Sequence, residues 1–173
     1  MAITIDGTGS ISGLSATGIS AQPVFPGNIL QVVNATYSTL VSVTTASYTD
    51  TGLTASITPS SASNKILILI NQPYEASRAS DNAYGGIRLL RDSTVINTPV
   101  GDSIPYELGI GVVGVTTIYV YGRYSIHMLD SPATTSSVTY KTQCRPYSTA
   151  NSGRFDVQND SKTSYITLLE VAA

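Results

Sequence analysis

Residues 53–71 read LTASITPSSASNKILILIN, and this stretch indicates the fold. Its first five residues alternate between apolar and hydroxyl side chains, which is typical of a strand with one buried face. A cluster of Pro, Ser and Asn at residues 59–64 predicts a turn. Residues 65–71 are mostly aliphatic and predict a buried strand. We interpret the whole stretch as a hairpin-like unit of an antiparallel sheet.

Short β-type segments separated by turn clusters continue on both sides of this stretch. No convincing amphipathic helix is found, although residues 75–82 could form one turn of a helix. Eight or more strands at short intervals indicate an antiparallel sandwich or barrel over residues 29–173. The other segments predicted as strands are 29–37, 39–49, 86–90, 94–97, 115–128, 137–147, 153–158 and 164–171.

Residues 1–28 differ from this domain, because they combine five Gly and two Pro with isolated apolar residues at irregular spacing. We predict an extended N-terminal arm that docks onto another surface. A frayed tail is the alternative, because chain termini are poorly ordered unless they are tied down. The apolar residues predicted to dock are Ile3, Ile5, Ile11, Leu14 and Ile19.

Composition excludes several classes of partner. Charged residues make up 12% of the chain, about half the usual share, and 23 Ser and 22 Thr supply much of the polarity. The net charge is −2 and the basic residues are scattered, so we expect no nucleic-acid partner. The longest aliphatic run has five residues, so we expect no membrane span and no membrane partner. The start lacks the pattern of an export signal.

The residues that usually carry chemistry are few and poorly placed. The string Gly109–Gly114 matches G-x-G-x-x-G, but a predicted strand follows it instead of a helix, so we interpret it as a connection. His127 is the single histidine, and Asp130 is too near in sequence to orient it for a catalytic triad. Glu75 and Glu107 are loop-placed carboxylates that no feature pairs. We expect no enzyme, no cofactor and no bound metal.

Four further residues are assigned structural roles. Cys144 is the single cysteine, so an intrachain disulfide is excluded, and its phase in a predicted strand indicates a buried thiol. Arg88, Arg91 and Asp92 flank a strand end and are predicted to form solvated pairs.

One predicted strand, residues 115–128, exposes an unusual aromatic surface. Its Ile and Val residues alternate with Tyr119, Tyr121, Arg123, Ser125 and His127, which should face outward. We interpret Tyr119, Tyr121 and Arg123 as part of a subunit interface. Contact with a carbohydrate or receptor is the alternative, and tyrosines that simply suit a sheet surface are the plainest explanation.

Several segments resemble a known family. The motifs GNILQVV at residues 27–33, residues 53–68, SPATT at residues 131–135, Tyr140-Lys141 and SYITLLEV at residues 164–171 look like those of small virion proteins of tailed bacteriophages, notably phages of cyanobacteria and marine bacteria. The resemblance covers residues 27–173. It implies a jelly-roll domain, usually trimeric, that serves either as a capsid decoration or cement protein or as the distal domain of a tail fibre. These motifs are framework residues and transfer no binding site.

The layout of arm and single domain favours the first role. Nothing in the sequence is similar to a heptad, collagen or β-helical shaft, which a fibre subunit would need. We therefore hypothesise a homotrimer made in the host cytoplasm and located on the capsid exterior, with the major capsid protein as its partner. The alternative is a tail-fibre or receptor-binding tip that contacts host glycans, and a small glycan-hydrolysing enzyme is a third hypothesis.

Overall fold

A computed structural model describes residues 4–5, 11–12, 25–79, 82–97, 108–110 and 117–173. These residues form thirteen strands and two single 3₁₀ turns, at Ala150–Ser152 and Asn159–Ser161. The strands are β1 (Thr4–Ile5), β2 (Ile11–Ser12), β3 (Ile29–Tyr37), β4 (Val41–Val43), β5 (Thr49–Ile57), β6 (Lys65–Arg78), β7 (Ala83–Arg91), β8 (Thr94–Asn97), β9 (Leu108–Ile110), β10 (Ile118–Asp130), β11 (Val138–Pro146), β12 (Arg154–Val157) and β13 (Ser164–Val171).

The strands of the domain form two antiparallel sheets. In the six-stranded sheet, the long strand β6 pairs with β10 on one side and with β13 and then β12 on the other, and β3 and β4 lie beyond these. In the five-stranded sheet, β11 lies between β5 and β7, and β8 and β9 both pair with β7. The strands β1 and β2 pair separately. The expectation of an all-β antiparallel fold is confirmed, and the arrangement is compatible with a β-sandwich.

Alternation along the strands builds one core between the two sheets. In β5, β11 and β13, and in β6 as far as residue 72, every second residue is buried, because successive side chains of a strand point to opposite faces. Both sheets contribute to a single hydrophobic cluster. The largest fully buried apolar side chains are Tyr140, Phe155, Leu53, Ile57, Ile66, Ile68, Ile87, Leu89, Ile166 and Leu168.

Two local predictions are wrong. The stretch 53–71 is no hairpin, because β5 belongs to the five-stranded sheet and β6 to the six-stranded one. Its turn carries the chain from one sheet to the other. Alternation shows which face of a strand is buried, but it does not show to which sheet the strand belongs, because both sheets bury one face in the same core. Residues 75–78, predicted as part of a helical turn, instead continue β6, which is paired there on both sides.

Pairing of charges near the end of β7 also differs from the prediction. Arg91 donates to the buried carboxylate of Asp130 at 2.8 Å, and Arg88 donates to the Gln143 side chain at 2.6 Å. The Asp92 carboxylate accepts from the backbone amide of Thr139 at 2.9 Å. These residues therefore bind neighbouring strands instead of one another.

Candidate functional site: the outer face of the six-stranded sheet

The residues predicted to form an interface lie on the outer face of the six-stranded sheet. Tyr119 and Tyr121 of β10 are 56% and 61% exposed, and Arg123 is exposed beside them. Ile118 and Tyr124, on either side of this stretch, are buried in the core, and the intervening Val120 and Gly122 are half-buried. The predicted alternation of this strand is confirmed. Among the described residues β10 pairs only with β6, so it lies at an edge of the sheet.

A buried ionic cluster lies directly beside Tyr121. The register places Tyr121 next to Glu75 of β6 and Glu75 next to Asp156 of β12. Arg154 binds both carboxylates, with its Nη2 2.8 Å from Glu75 Oε1 and its Nε 2.8 Å from Asp156 Oδ2. Glu75 is only 3% exposed although it lies on the outer face. Its predicted placement in a loop is wrong, because it lies within β6, where it is paired with Arg154.

Two further side chains complete this ionic cluster. The Ser42 hydroxyl donates to Asp156 at 2.6 Å, and the Asn159 amide donates to Glu75. Burial raises the pKa of Asp156, and the nearby charge of Glu75 adds to this, against the lowering effects of Ser42 and Arg154. The cluster thus consists of two carboxylates that share the single guanidinium of Arg154. We interpret it as a structural ionic network.

A cleft opens beside Tyr121. It has a volume of about 270 Å³ and is lined by Tyr121, Arg123, Asn159, Lys162, Pro73, Tyr74 and Gly122. The Arg123 guanidinium donates to the Asn71 side chain at 2.6 Å, which fixes it at the rim. The Lys162 ammonium lies 5.8 Å from the centroid of the Tyr121 ring, within the range of a cation–π contact. An exposed ring beside amide and cationic groups can hold a small polar ligand.

The opposite end of the same face is apolar. Leu129 of β10 pairs with Leu67 of β6, Leu67 with Leu169 of β13, and Leu169 with Val32 of β3. We call these four residues the apolar row. Leu129 and Val32 are 50% and 58% exposed, and Leu67 and Leu169 are half-buried. Side by side on four strands, they form a band of aliphatic surface, and Leu69 of the adjoining row is exposed next to it.

The remaining chemical candidates do not come together. His127 is exposed on the outer face, whereas Asp130 is buried and accepts a hydrogen bond from Tyr140 at 2.7 Å, so the two cannot act as a pair. Cys144 is buried as predicted, and burial raises the pKa of its thiol to about 12. Across the described residues, no three His, Cys, Asp or Glu side chains are grouped so that they could hold a metal ion.

The remaining predicted residues belong to the arm or to the segment around β9. Ile5 pairs with Ile11 in the short ladder of β1 and β2. The other arm residues Ile3, Leu14 and Ile19 lie outside the described residues, as do Glu107 and residues 111–114. Gly109 and Ile110 belong to β9, a strand that was not predicted from the sequence.

Comparisons with known proteins do not identify the chain. No protein-family model matches it, and a search of curated proteins finds no match. In the described part of the chain, no helix has the length and apolar character needed to cross a membrane.

Sequence reasoning missed both the ionic cluster and the apolar row. Each is assembled from strands that are distant in the chain, so no local sequence pattern predicts it. One signal was present: in the predicted strand 65–71 both alternating sets of residues include leucine or isoleucine, which indicates apolar side chains on the outer face as well.

Proposed function

We propose that this protein is a structural component of a bacteriophage virion: a trimeric jelly-roll decoration or cement protein on the capsid exterior, which binds the major capsid protein through its N-terminal arm. One observation carries the proposal. The outer face of the six-stranded sheet offers a broad contact surface, with an apolar row at one end and exposed tyrosines at the other. Its buried carboxylates, Glu75 and Asp156, are both bound to Arg154.

The resemblance of residues 27–173 to small virion proteins points in the same direction. Three arms on one trimer would bind neighbouring shell subunits at high effective concentration, so no single arm needs high affinity. The apolar arm residues Ile3, Ile5, Ile11, Leu14 and Ile19 would supply the contacts, and strand edges in the arm would add to a sheet of the capsid protein.

Deletion of residues 1–20 tests the proposal. The truncated protein should remain a folded trimer by sedimentation and should no longer cosediment with capsids that lack the protein. A control variant, Ser56→Ala, changes an exposed side chain on the outer face of the other sheet and should bind capsids normally. Capsid binding by the truncated protein would contradict the role of the arm, and a copy number of tens or fewer per virion would contradict the cement role.

A second candidate function is supported by the cleft beside Tyr121. A receptor-binding tip protein would contact host glycans there, with the Tyr121 ring against a sugar face and Arg123 or Asn159 hydrogen-bonded to its hydroxyls. Under this alternative, Tyr121→Ala should lower binding to host cells at least tenfold, whereas Tyr165→Ala, on the same sheet face, should not. Equal binding by the two variants would eliminate the alternative.

A further inference from the structure

A line of hydrogen-bonded polar side chains crosses the core between the two sheets. It begins where a register shift leaves residues 51–53 of β5 opposite Thr142 of β11. The Leu53 amide donates to the Thr51 hydroxyl at 3.3 Å, and the hydroxyl oxygens of Thr51 and Thr142 are 2.5 Å apart. The Thr142 hydroxyl donates in turn to the side-chain carbonyl of Gln72 in β6 at 3.0 Å. These bonds therefore reach from one sheet to the other.

A second buried amide lies beside Gln72. Continued by one position, the register of β6 and β13 places Ser164 directly opposite Gln72, and opposite side chains of paired strands lie on the same face. Gln158 donates its side-chain amide to the Ser164 hydroxyl at 2.7 Å and its backbone amide to the Pro73 carbonyl at 3.3 Å. Gln72, Gln158 and Ser164 are all fully buried. The two glutamine amides therefore share one small region of the core.

Each of these two amides has one atom that is left unbonded. Within the part of the chain that the structure describes, Gln72 Nε2 and Gln158 Oε1 have no hydrogen-bond partner. Buried polar atoms of native proteins are nearly always bonded to protein or to ordered water, because an unbonded one bears the full cost of leaving solvent. One of the two atoms is a donor and the other is an acceptor. A single water molecule can bond to both.

We propose that the core has a binding site for one structural water molecule, which accepts a hydrogen bond from Gln72 Nε2 and donates one to Gln158 Oε1. The water completes a line of hydrogen bonds from the Leu53 amide to the Ser164 hydroxyl, through β5, β11, β6 and β13. Because hydrogen bonds are directional, a fully bonded line of this kind favours one alignment of the two sheets. The site is independent of the proposed function, since it lies inside the domain.

An atomic-resolution crystal structure of the full-length protein tests the site directly. An ordered water should lie within about 3.2 Å of the side-chain amides of both Gln72 and Gln158. The Asn64 amide is the matched control, because it is also buried but already donates to both Ser60 and Glu170, so no buried water should contact its nitrogen. A direct bond between Gln72 and Gln158, or no ordered water within this distance, would overturn the proposal.

Methionine variants test the same site in solution. Methionine is similar to glutamine in size and lacks the amide, so Gln72→Met and Gln158→Met should each lower the midpoint of thermal unfolding by about 3 °C or more. The double variant leaves the water without either partner, so its midpoint should fall by less than the sum of the two single falls. The control pair, Gln72→Met with Gln31→Met in the distant strand β3, should give additive falls. Additive falls in Gln72→Met/Gln158→Met would overturn the proposal.

Discussion

The side-chain amide of Asn64 donates a hydrogen bond of 2.6 Å to the carboxylate of Glu170, across 106 positions of the chain. The same carboxylate accepts from the backbone amide and hydroxyl of Ser60 and from the side chain of Gln31. Glu170 is fully buried. These bonds attach the loop that crosses between the two sheets to the last strand, so one ionised side chain holds the two sheets in place at this end of the domain.

Substitution of this carboxylate should destabilise the domain. Glu170→Gln removes the charge and places an N–H group against the donors of Asn64, Ser60 and Gln31, which then lose an acceptor. We therefore expect a loss of about 2 kcal/mol in the free energy of unfolding. Urea denaturation at pH 7 measures it. Asp160→Asn, which changes an exposed carboxylate paired with Lys162, is the control and should cost less than about 0.5 kcal/mol.

The contribution of Glu170 should also depend on pH. Burial alone would raise the pKa of Glu170, but the hydrogen bonds from Asn64, Gln31 and Ser60 outweigh it and lower the pKa from 4.5 to about 2. Because the folded pKa lies below the unfolded one, the stabilisation is complete above pH 4.5 and is lost as the pH falls toward 2. The difference in stability between wild type and Glu170→Gln should therefore narrow over this interval, and a constant difference would contradict the assignment.

Removal of the cation from the ionic cluster should also destabilise the domain. Arg154→Met would leave the buried carboxylates of Glu75 and Asp156 without their cation, so we expect a loss of about 3 kcal/mol at pH 7. Arg123→Met, which removes an exposed arginine from the same sheet face, is the control and should cost less than about 1 kcal/mol.

Acidification should partly rescue the Arg154→Met variant. The pKa of Asp156 is already raised by burial, and removal of Arg154 takes away a charge that lowers it. A carboxyl group with a folded pKa above its unfolded value binds protons more tightly in the native state, so stability rises as the pH falls through the folded value. Denaturation curves between pH 7 and pH 5 should show a gain for the variant, and a loss over this range would refute the explanation.

Gly85 should tolerate no side chain. A Cβ atom at this position would overlap the ring of Phe155, which is fully buried in the core. Gly85→Ala should therefore cost about 2 kcal/mol through overpacking, and the double variant Gly85→Ala/Phe155→Leu should recover part of that loss because the ring is gone. Thermal unfolding measures both. Additive losses in the double variant would show that the clash is not the cause.

A second glycine provides a comparison based on backbone conformation. Gly27 has φ +87°, and a Cβ added there would meet no atom within 4 Å, so Gly27→Ala should cost about 1 kcal/mol from backbone strain alone. Substitution of Phe155 should not rescue it.

The thiol of Cys144 should be unreactive in the native protein. Burial, reinforced by the charge of Asp156, raises its pKa to about 12, and reagents cannot reach it. We expect Ellman's reagent to react at pH 8 at least about 100-fold more slowly than with glutathione, and at a normal rate in concentrated urea. An engineered Ser56→Cys thiol is the exposed control. Rapid modification of Cys144 in the folded protein would show that the core opens at β11.

Several strands and their buried faces could be predicted from the sequence. Strands 29–37, 94–97 and 164–171 begin and end where alternation and turn residues indicate. The segment 39–49, predicted as one strand, divides into β4 and the start of β5, because its Ser and Thr residues suit strands and turns alike. Of the candidate site, the outward direction of Tyr119, Tyr121 and Arg123 was predicted correctly.

Alternation along a strand is a local property, so the sequence by itself determined the all-β class, the buried face of most strands and the burial of Cys144. Which strands become neighbours depends on pairing between distant segments, and no local sequence pattern predicts that pairing. Only the tertiary structure separated β5 from β6, placed Arg154 between Glu75 and Asp156, and aligned Leu129, Leu67, Leu169 and Val32 in one row. A shift of one residue in any of these registers would turn the side chains to the other face and remove both features.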